Sequence, residues 1–180
     1  MTSEASLVEE LKAPETRNAA FRTLVAAYQE RLYWHIRRIV LNHDDADDVI
    51  QNTFIKIFKN IERFKGDSSL FSWMYRIATN ESITFLNQKA RKSGISNEAL
   101  QEQMIGQLVA DVYFDGDEIQ LKLQKAIAKL PEKQRLVFNM KYFEEMKYEE
   151  ISQVLETSVG ALKASYHHAV KKIELELKAN

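Results

Sequence analysis

The chain contains no cysteine. Disulfides, thiolate metal sites and thiol nucleophiles are thereby excluded, and the composition suits a reducing cytoplasm. Proline appears twice and glycine five times in 180 residues. An all-β fold built on tight turns needs more of both. No apolar run reaches the roughly 20 residues that a membrane-spanning helix requires, so no membrane insertion is expected. The acidic opening MTSEASLVEELK lacks the apolar centre of a signal peptide. A Gly-rich phosphate loop and a nucleophile motif are also missing, so neither catalysis nor a cofactor is expected.

Strong charge of one sign is absent too, since the net charge is -1. Its distribution is uneven. Residues 1–92 hold 14 Lys/Arg against 12 Asp/Glu. Residues 93–118 hold six acids and no base, and residues 119–180 hold 11 bases against 8 acids. Two mildly basic segments thus flank an acidic one, and a polyanion responds to local patches rather than to the mean. Residues are 45% hydrophobic, enough for a buried core.

Apolar residues recur at steps of three or four along most of the chain, and no stretch alternates as a strand does. The spacing predicts an all-α protein. Residues 1–14 read as a polar, frayed leader ending at Pro14. Phe21, Leu24, Val25, Tyr28, Leu32, Ile36 and Ile39 form one face of a helix from Glu15 to about Val40. Asp44 is the expected N-cap of a second helix running to about Ile61, with Asp45, Asp47 and Asp48 favourable near its start. Ser68 is the expected N-cap of a third, from about Ser69 to Lys92, closed by Gly94. Residues 93–118 have the composition of a linker, although Leu100, Met104, Ile105, Leu108 and Val109 could form a short docked helix. Thereafter an amphipathic helix from Ile119 to Leu130 precedes one that restarts at Pro131.

The C-terminal stretch Tyr148–Lys172 reads as two helices joined at Glu156-Thr157. On the last helix Val159, Leu162, Tyr166, Val170, Ile173 and Leu177 share one face, which must be the core face. Gly160, Ala161, Lys163, Ala164, Ser165, His167, His168, Lys171 and Lys172 then face outward, with Ser158 as N-cap. Small residues near its start allow close approach to a groove, and the lysines and histidines can meet phosphates or base edges. On spacing alone, a DNA-reading helix-turn-helix and an ordinary amphipathic pair are equally supported.

Two constellations invite a metal. His43-Asp44, with His35 upstream, would need further ligands converging from other helices. Only four histidines exist, and His167 and His168 belong to the other end of the chain. The acids from Asp44 to Asp48 lack the central Gly and closing Glu of a calcium loop. No metal is expected, and helix capping accounts for these acids.

The pattern formed by Tyr148-Glu149-Glu150-Ile151, Leu155, Ser158-Val159-Gly160, Lys163, His167, Ala169 and Lys171-Lys172 resembles the C-terminal DNA-binding region of bacterial extracytoplasmic-function sigma factors. Leu130-Pro131-Glu132-Lys133-Gln134-Arg135 resembles the opening of that domain. Asp47–Phe54 resembles the polymerase-binding helix of the same family, and Phe71–Asn80 resembles its -10 region. The resemblance implies a helical domain over 1–92 for polymerase and -10 binding, an acidic linker over 93–118, and a helix-turn-helix domain over 119–180 for the -35 element.

It further implies contacts with core RNA polymerase, both its β′ clamp helices and its β flap. Asp48, Gln51, Asn52 and Phe54 are the implied clamp contacts, Phe54 being partly core. For -10 DNA the implied residues are Lys65, Asp67 and Ser68 in a base-receiving loop, Trp73, Tyr75, Arg76 and Asn80 on the helix, and Lys89, Arg91 and Lys92 along the backbone. Ser158, Gly160, Ala161, Lys163, Ala164, Ser165, His167, His168, Lys171 and Lys172 are implied for -35 DNA. An anti-sigma factor is an implied partner, and the free protein is expected to be a cytoplasmic monomer.

Two departures stand out. Glu156 occupies a turn position where the family places Gly, and Ser165, His168 and Val170 stand where Arg is frequent. An alternative reading is a one-component regulator that binds operator DNA as a symmetric dimer.

Overall fold

The computed structural model describes residues 3–108 and 117–179. Among these the regular structure is helical: α1 Glu4–Lys12, α2 Arg17–Val40, α3 His43–Asn60, α4 Leu70–Ser93, α5 Asn97–Gln107, α6 Glu118–Ala128, α7 Glu132–Tyr142, α8 Tyr148–Leu155 and α9 Val159–Ala179. A short 3₁₀ turn, Ile61–Arg63, follows α3.

Helices α2, α3 and α4 pack on one another through the apolar stripes that their sequences predict. Leu24, Leu32 and Ile36 of α2 meet Val49 and Ile57 of α3 and Leu70, Met74 and Ala78 of α4, all essentially buried. Burying each such side chain contributes roughly 1.5–3 kcal/mol, and together they fix the triangle.

The leader is not frayed. Leu11 is buried, and Leu7 and Val8 pack on the same core, at the spacing of one helical face. The acidic composition of the segment hides that stripe. Polar contacts then fasten it: Lys12 Nζ donates to the Phe64 carbonyl at 2.6 Å, and Glu4 Oε1 accepts from the Leu70 amide at 2.9 Å.

Two expected caps move by one or two residues. Asn42, not Asp44, accepts from the Asp45 amide at 2.9 Å, because Asn42 is the residue still in extended conformation. Likewise Ser69, not Ser68, accepts from the Ser72 amide at 3.1 Å. Gly94 ends α4 in the left-handed region as expected, at φ 67°.

In the C-terminal half, α6, α7 and α9 enclose a second core of Ala126, Ile127, Leu130, Phe138, Ala169 and Ile173. Ile119 and Leu177 were expected on it, but both are exposed. They sit near the ends of α6 and α9, past the packed part of each helix. The segment read as a linker contains α5, with Leu100 and Met104 buried against Ala90. Val109 lies outside the described residues. The first core does not stop at α4, for Val137, Met140, Ile151, Val154 and Leu162 belong to it as well. Helix α8 therefore lies on α4, and the two halves share one apolar interior.

His35 is sealed in this interior, 1% exposed. The Thr79 hydroxyl donates its single hydrogen to the Tyr75 carbonyl at 2.7 Å. Its 2.8 Å contact with His35 Nε2 therefore makes the imidazole the donor there. Burial, and then the positive charge of Arg38, hold the imidazole down to about 3 from its ordinary 6.5. Between those values the unfolded chain binds a proton that the folded chain refuses. Stability is thus full above about pH 6.5 and declines as pH falls from there towards about 3. Replacing His35 with Gln, which retains a donor for Thr79, should flatten the loss between about pH 6.5 and about pH 4.5, a window above the main carboxylate titrations. Urea-unfolding free energies across that window check this, and an unchanged slope would assign it to another group.

Candidate nucleic-acid interface

The helix-turn-helix is built by local rules. Glu150 reaches back to accept the Lys147 amide at 2.8 Å at the start of α8. The Ser158 hydroxyl accepts the Ala161 amide at 3.3 Å at the start of α9. Between them Glu156 takes φ 53° and ψ 43°, the left-handed conformation that Gly adopts at no steric cost. The departure from Gly read in the sequence therefore falls on a backbone geometry that still calls for Gly.

Helix α9 buries Leu162, Ala169 and Ile173 and lays Tyr166 on the Phe138 ring, centroids 5.8 Å apart and nearly parallel. Its opposite face is open. Ser158, Gly160, Ala161, Lys163, Ala164, His167, His168, Lys171 and Lys172 are exposed and Ser165 is half-buried. A Cβ added at Gly160 would meet nothing within 4 Å, so a partner can approach the backbone there. Lys163 Nζ stands 5.8 Å from the Tyr148 ring centroid, which orients the ammonium along the turn. The arrangement can present cations, two imidazoles and a helix N-terminus to a phosphate-lined groove.

The residues read for -10 DNA divide into two sets. Lys65, Asp67, Arg76, Asn80, Arg91 and Lys92 are exposed, and Ser68 is half-buried in the loop that Gly66 turns at φ 80°. Trp73 is half-buried against Phe64, centroids 5.2 Å apart. Lys89 is ion-paired with Asp45. Tyr75 departs from the sequence expectation, being 0% exposed and donating its hydroxyl to Glu144 at 3.0 Å. Burial, the Glu144 charge and this hydrogen bond push the phenol well above its usual range. Its ring packs between Phe71 and His35 with its hydroxyl on Glu144 of the α7–α8 turn, so in this arrangement it is not on the surface of α4. Arg76 is exposed but paired with Glu156 across the two halves.

On α3, Asp48, Gln51 and Asn52 lie exposed on one face. Phe54 is half-buried, edge-on to Phe21 at 6.1 Å, which agrees with its reading as partly core. Sequence reasoning passed over Ile55, which is 50% exposed and sits three and four residues beyond Asn52 and Gln51. The same helical spacing that grouped the polar residues places it among them.

The residues considered for a metal do not converge as one set. His35 is buried against Thr79, whereas His43 is exposed beside Asp47 at 3.5 Å, on the first turns of α3. His43, Asp44 and Asp47 can bring ligand atoms within 4.8 Å of one another. All three are solvated groups at a helix N-terminus, where carboxylates are favourable without an ion.

Comparison with known proteins gives concordant matches. The family model described as Sigma-70 region 2 matches residues 24–92, and that described as Sigma-70, region 4 matches residues 120–173. The ECF RNA polymerase sigma factor SigW of Bacillus subtilis is 30% identical over 167 residues, covering 88% of this chain and 89% of its own. The RNA polymerase sigma-H factor of Pseudomonas aeruginosa is 28% identical, covering 97% and 93%. Among solved structures, CnrH in complex with the cytosolic domain of CnrY superposes with a TM-score of 0.71 at 20% identity, covering 100% of this chain and 99% of that one. The sigma factor RpoE with the anti-sigma factor NepR from Bartonella quintana gives 0.68 at 18% identity, covering 89% and 98%.

The left-handed turn generates a stability prediction. Glu156→Gly should relieve roughly 1 kcal/mol of backbone strain. Its ion pair is exposed, with 44% and 68% of the two side chains accessible, so little is lost with it. Thermal unfolding should then rise by about 2–4 °C. A lowered midpoint would mean that the ion pair outweighs the strain.

Proposed function

This chain belongs to the sigma-70 family, in the ECF group of RNA polymerase sigma factors, and from that membership we propose how its surfaces divide the family's work. The protein binds core RNA polymerase and directs promoter-specific initiation through -10 and -35 elements. The observation that carries this is the pairing of two family matches, region 2 over 24–92 and region 4 over 120–173, in one chain and in that order. A one-component operator binder leaves the region 2 match unexplained.

The outward face of α3 is the surface proposed to dock on the β′ clamp helices. Asp48, Gln51 and Asn52 set its register, and Ile55 supplies the apolar contact that Phe54, packed on Phe21, gives only in part. The loop Lys65–Ser68 receives an unpaired base, with Arg76 and Asn80 beside it and Arg91 and Lys92 along the backbone. Trp73 and Tyr75 contribute first to packing. The open face of α9 reads the -35 duplex, while the rest of the C-terminal half meets the β flap. With Ser165, His168 and Val170 in place of arginines, this face grips phosphate weakly. Tethering through polymerase then raises its effective concentration on the promoter.

The role is cytoplasmic and non-catalytic: the protein selects a start site, and polymerase makes the bonds. Both solved structures described above are complexes with a second protein, which in the RpoE structure is an anti-sigma factor. An anti-sigma factor is accordingly the proposed regulator here, acting on a monomer. No helix among the described residues is long and apolar enough to cross a membrane.

Transcription in vitro with purified core polymerase tests the reading, and the absence of both core binding and a promoter-specific transcript would overturn it. Asp48→Ala, Gln51→Ala and Ile55→Ala should each weaken core binding by about threefold to thirtyfold and leave thermal stability unchanged. Equal losses of stability would show that packing, not docking, had been removed. Lys163→Ala should weaken binding to -35 duplexes and lower the salt slope by about one. Unaltered -35-dependent transcription would displace the reading face from α9.

A further inference from the structure

From Ser158 to Lys172 the chain carries three lysines, two histidines and no acid. Lys163 and Lys171 stand four residues to either side of His167, and Lys172 stands four beyond His168. On a helix such pairs are surface neighbours. The nearest acid along α9 is Glu174, seven and six residues beyond the two histidines. Both imidazoles are exposed, with ring centroids 6.0 Å apart. Among the described residues neither makes a hydrogen bond or an ion pair.

No packed element answers them. Helix α9 packs on α6, α7 and α8 through its buried stripe, on the side away from the lysines. Lys129, after α6, is paired with Glu176, and Lys141 of α7 lies 4.7 Å from the Tyr148 ring centroid. Glu150 of α8 accepts the Lys147 amide. Lys122 and Lys125 of α6 and Glu149 of α8 make no ion pair with either imidazole. Cations four residues apart repel on a helix, and no carboxylate of the protein offsets that repulsion here. A phosphate chain laid on the face does. Gly160, Ala161 and Ala164 keep the preceding turns low, so DNA resting there comes within reach of the imidazoles on the next turn.

We propose that His167 and His168 form a proton-dependent phosphate site on the open face of α9, so that duplex DNA is held more tightly as pH falls through the histidine range. An ordinary imidazole gains its charge below about pH 6.5. Charged, each offers two N–H donors to phosphate oxygens. The face then presents five cations where the lysines alone give three. A bound phosphate favours the charged imidazole, so binding takes up protons. By linkage, acid strengthens binding as much as binding favours protonation. Association is thus weaker above about pH 6.5 and stronger below it. Arginine in either place would be charged at every such pH and would make the grip unconditional. The site deepens the reading of α9 as the -35 face and rests on it.

Fluorescence anisotropy on the full-length protein, with a short labelled duplex of mixed sequence at fixed salt, tests the site. Affinity should rise about tenfold from about pH 7.5 to about pH 5.5. The salt slope should steepen by about one to two over the same range. His167→Gln combined with His168→Gln should bring the affinity ratio between the two pH values to about one, with His35 and His43 still in place. His167→Arg combined with His168→Arg should reach at the higher pH the affinity that the unsubstituted protein has at the lower, and should lose the pH dependence. Far-UV circular dichroism at both pH values should show native helix content in each protein scored.

A pH ratio left unchanged by both double variants would overturn the site, since other groups would then take up the protons. Affinity of the unsubstituted protein that does not change with pH would overturn it too, as would a lack of duplex binding at either pH in low salt. Each of these results leaves the functional reading to transcription with core polymerase. Conversely, a pH-dependent grip that the histidine variants abolish, without any promoter-specific transcript, would support the phosphate site and strike the functional reading.

Discussion

The shared apolar core between α4 and α8, with the buried Glu144 carboxylate at its edge, is the constraint that joins the two halves. That carboxylate lies between a guanidinium and a phenol that the N-terminal helices have already drawn out of water. Desolvation lowers the Arg38 pKa from its ordinary value, and Glu144 acts against that shift. Around the carboxylate, Ile151 and Val154 of α8 and Leu162 of α9 share a core with Leu70, Met74 and Ala78 of α4. Apolar burial supplies attraction without direction. The carboxylate adds direction, since it accepts from both donors at once.

From that seam follows the uneven accessibility of the functional surfaces. Helix α9 is oriented within the C-terminal half by Ala169 and Ile173, and its polar face points to solvent. Helix α4 has no comparable independence. It packs on α2 and α3 along one side and on α8 along another, which leaves Arg76 and Asn80 at an edge and Tyr75 inside. The same sequence segment therefore contains both the lining of a core and the proposed reader of a promoter element.

Local chemistry was legible in the sequence wherever the signal is local. Helical periodicity placed α2, α3, α4 and α9, and Gly94 marked the end of α4. The expected outward face of α9 is the face that is open, because a helix with a fixed apolar stripe leaves one solution for the rest. The differences each have a physical cause. Leu7, Val8 and Leu11 were overlooked because acidic neighbours masked a short stripe, and Ile119 and Leu177 were assigned to a core that the ends of α6 and α9 run past. Asn42 and Ser69 displaced Asp44 and Ser68 as caps because the choice depends on which backbone remains extended.

By itself, the sequence determined an all-helical chain and the solvent face of the last helix, since each follows from residue spacing within one element, and its motifs over two separated segments resemble one family. Only the tertiary structure decided that Tyr75 is buried, that the acidic segment docks through Leu100 and Met104, and that Glu144 joins the halves. Those outcomes depend on pairs such as Tyr75 with Glu144 and Arg38 with Glu144, which lie 69 and 106 positions apart. Periodicity describes a helix against its own axis, and it carries no information on which distant charge will be set against it.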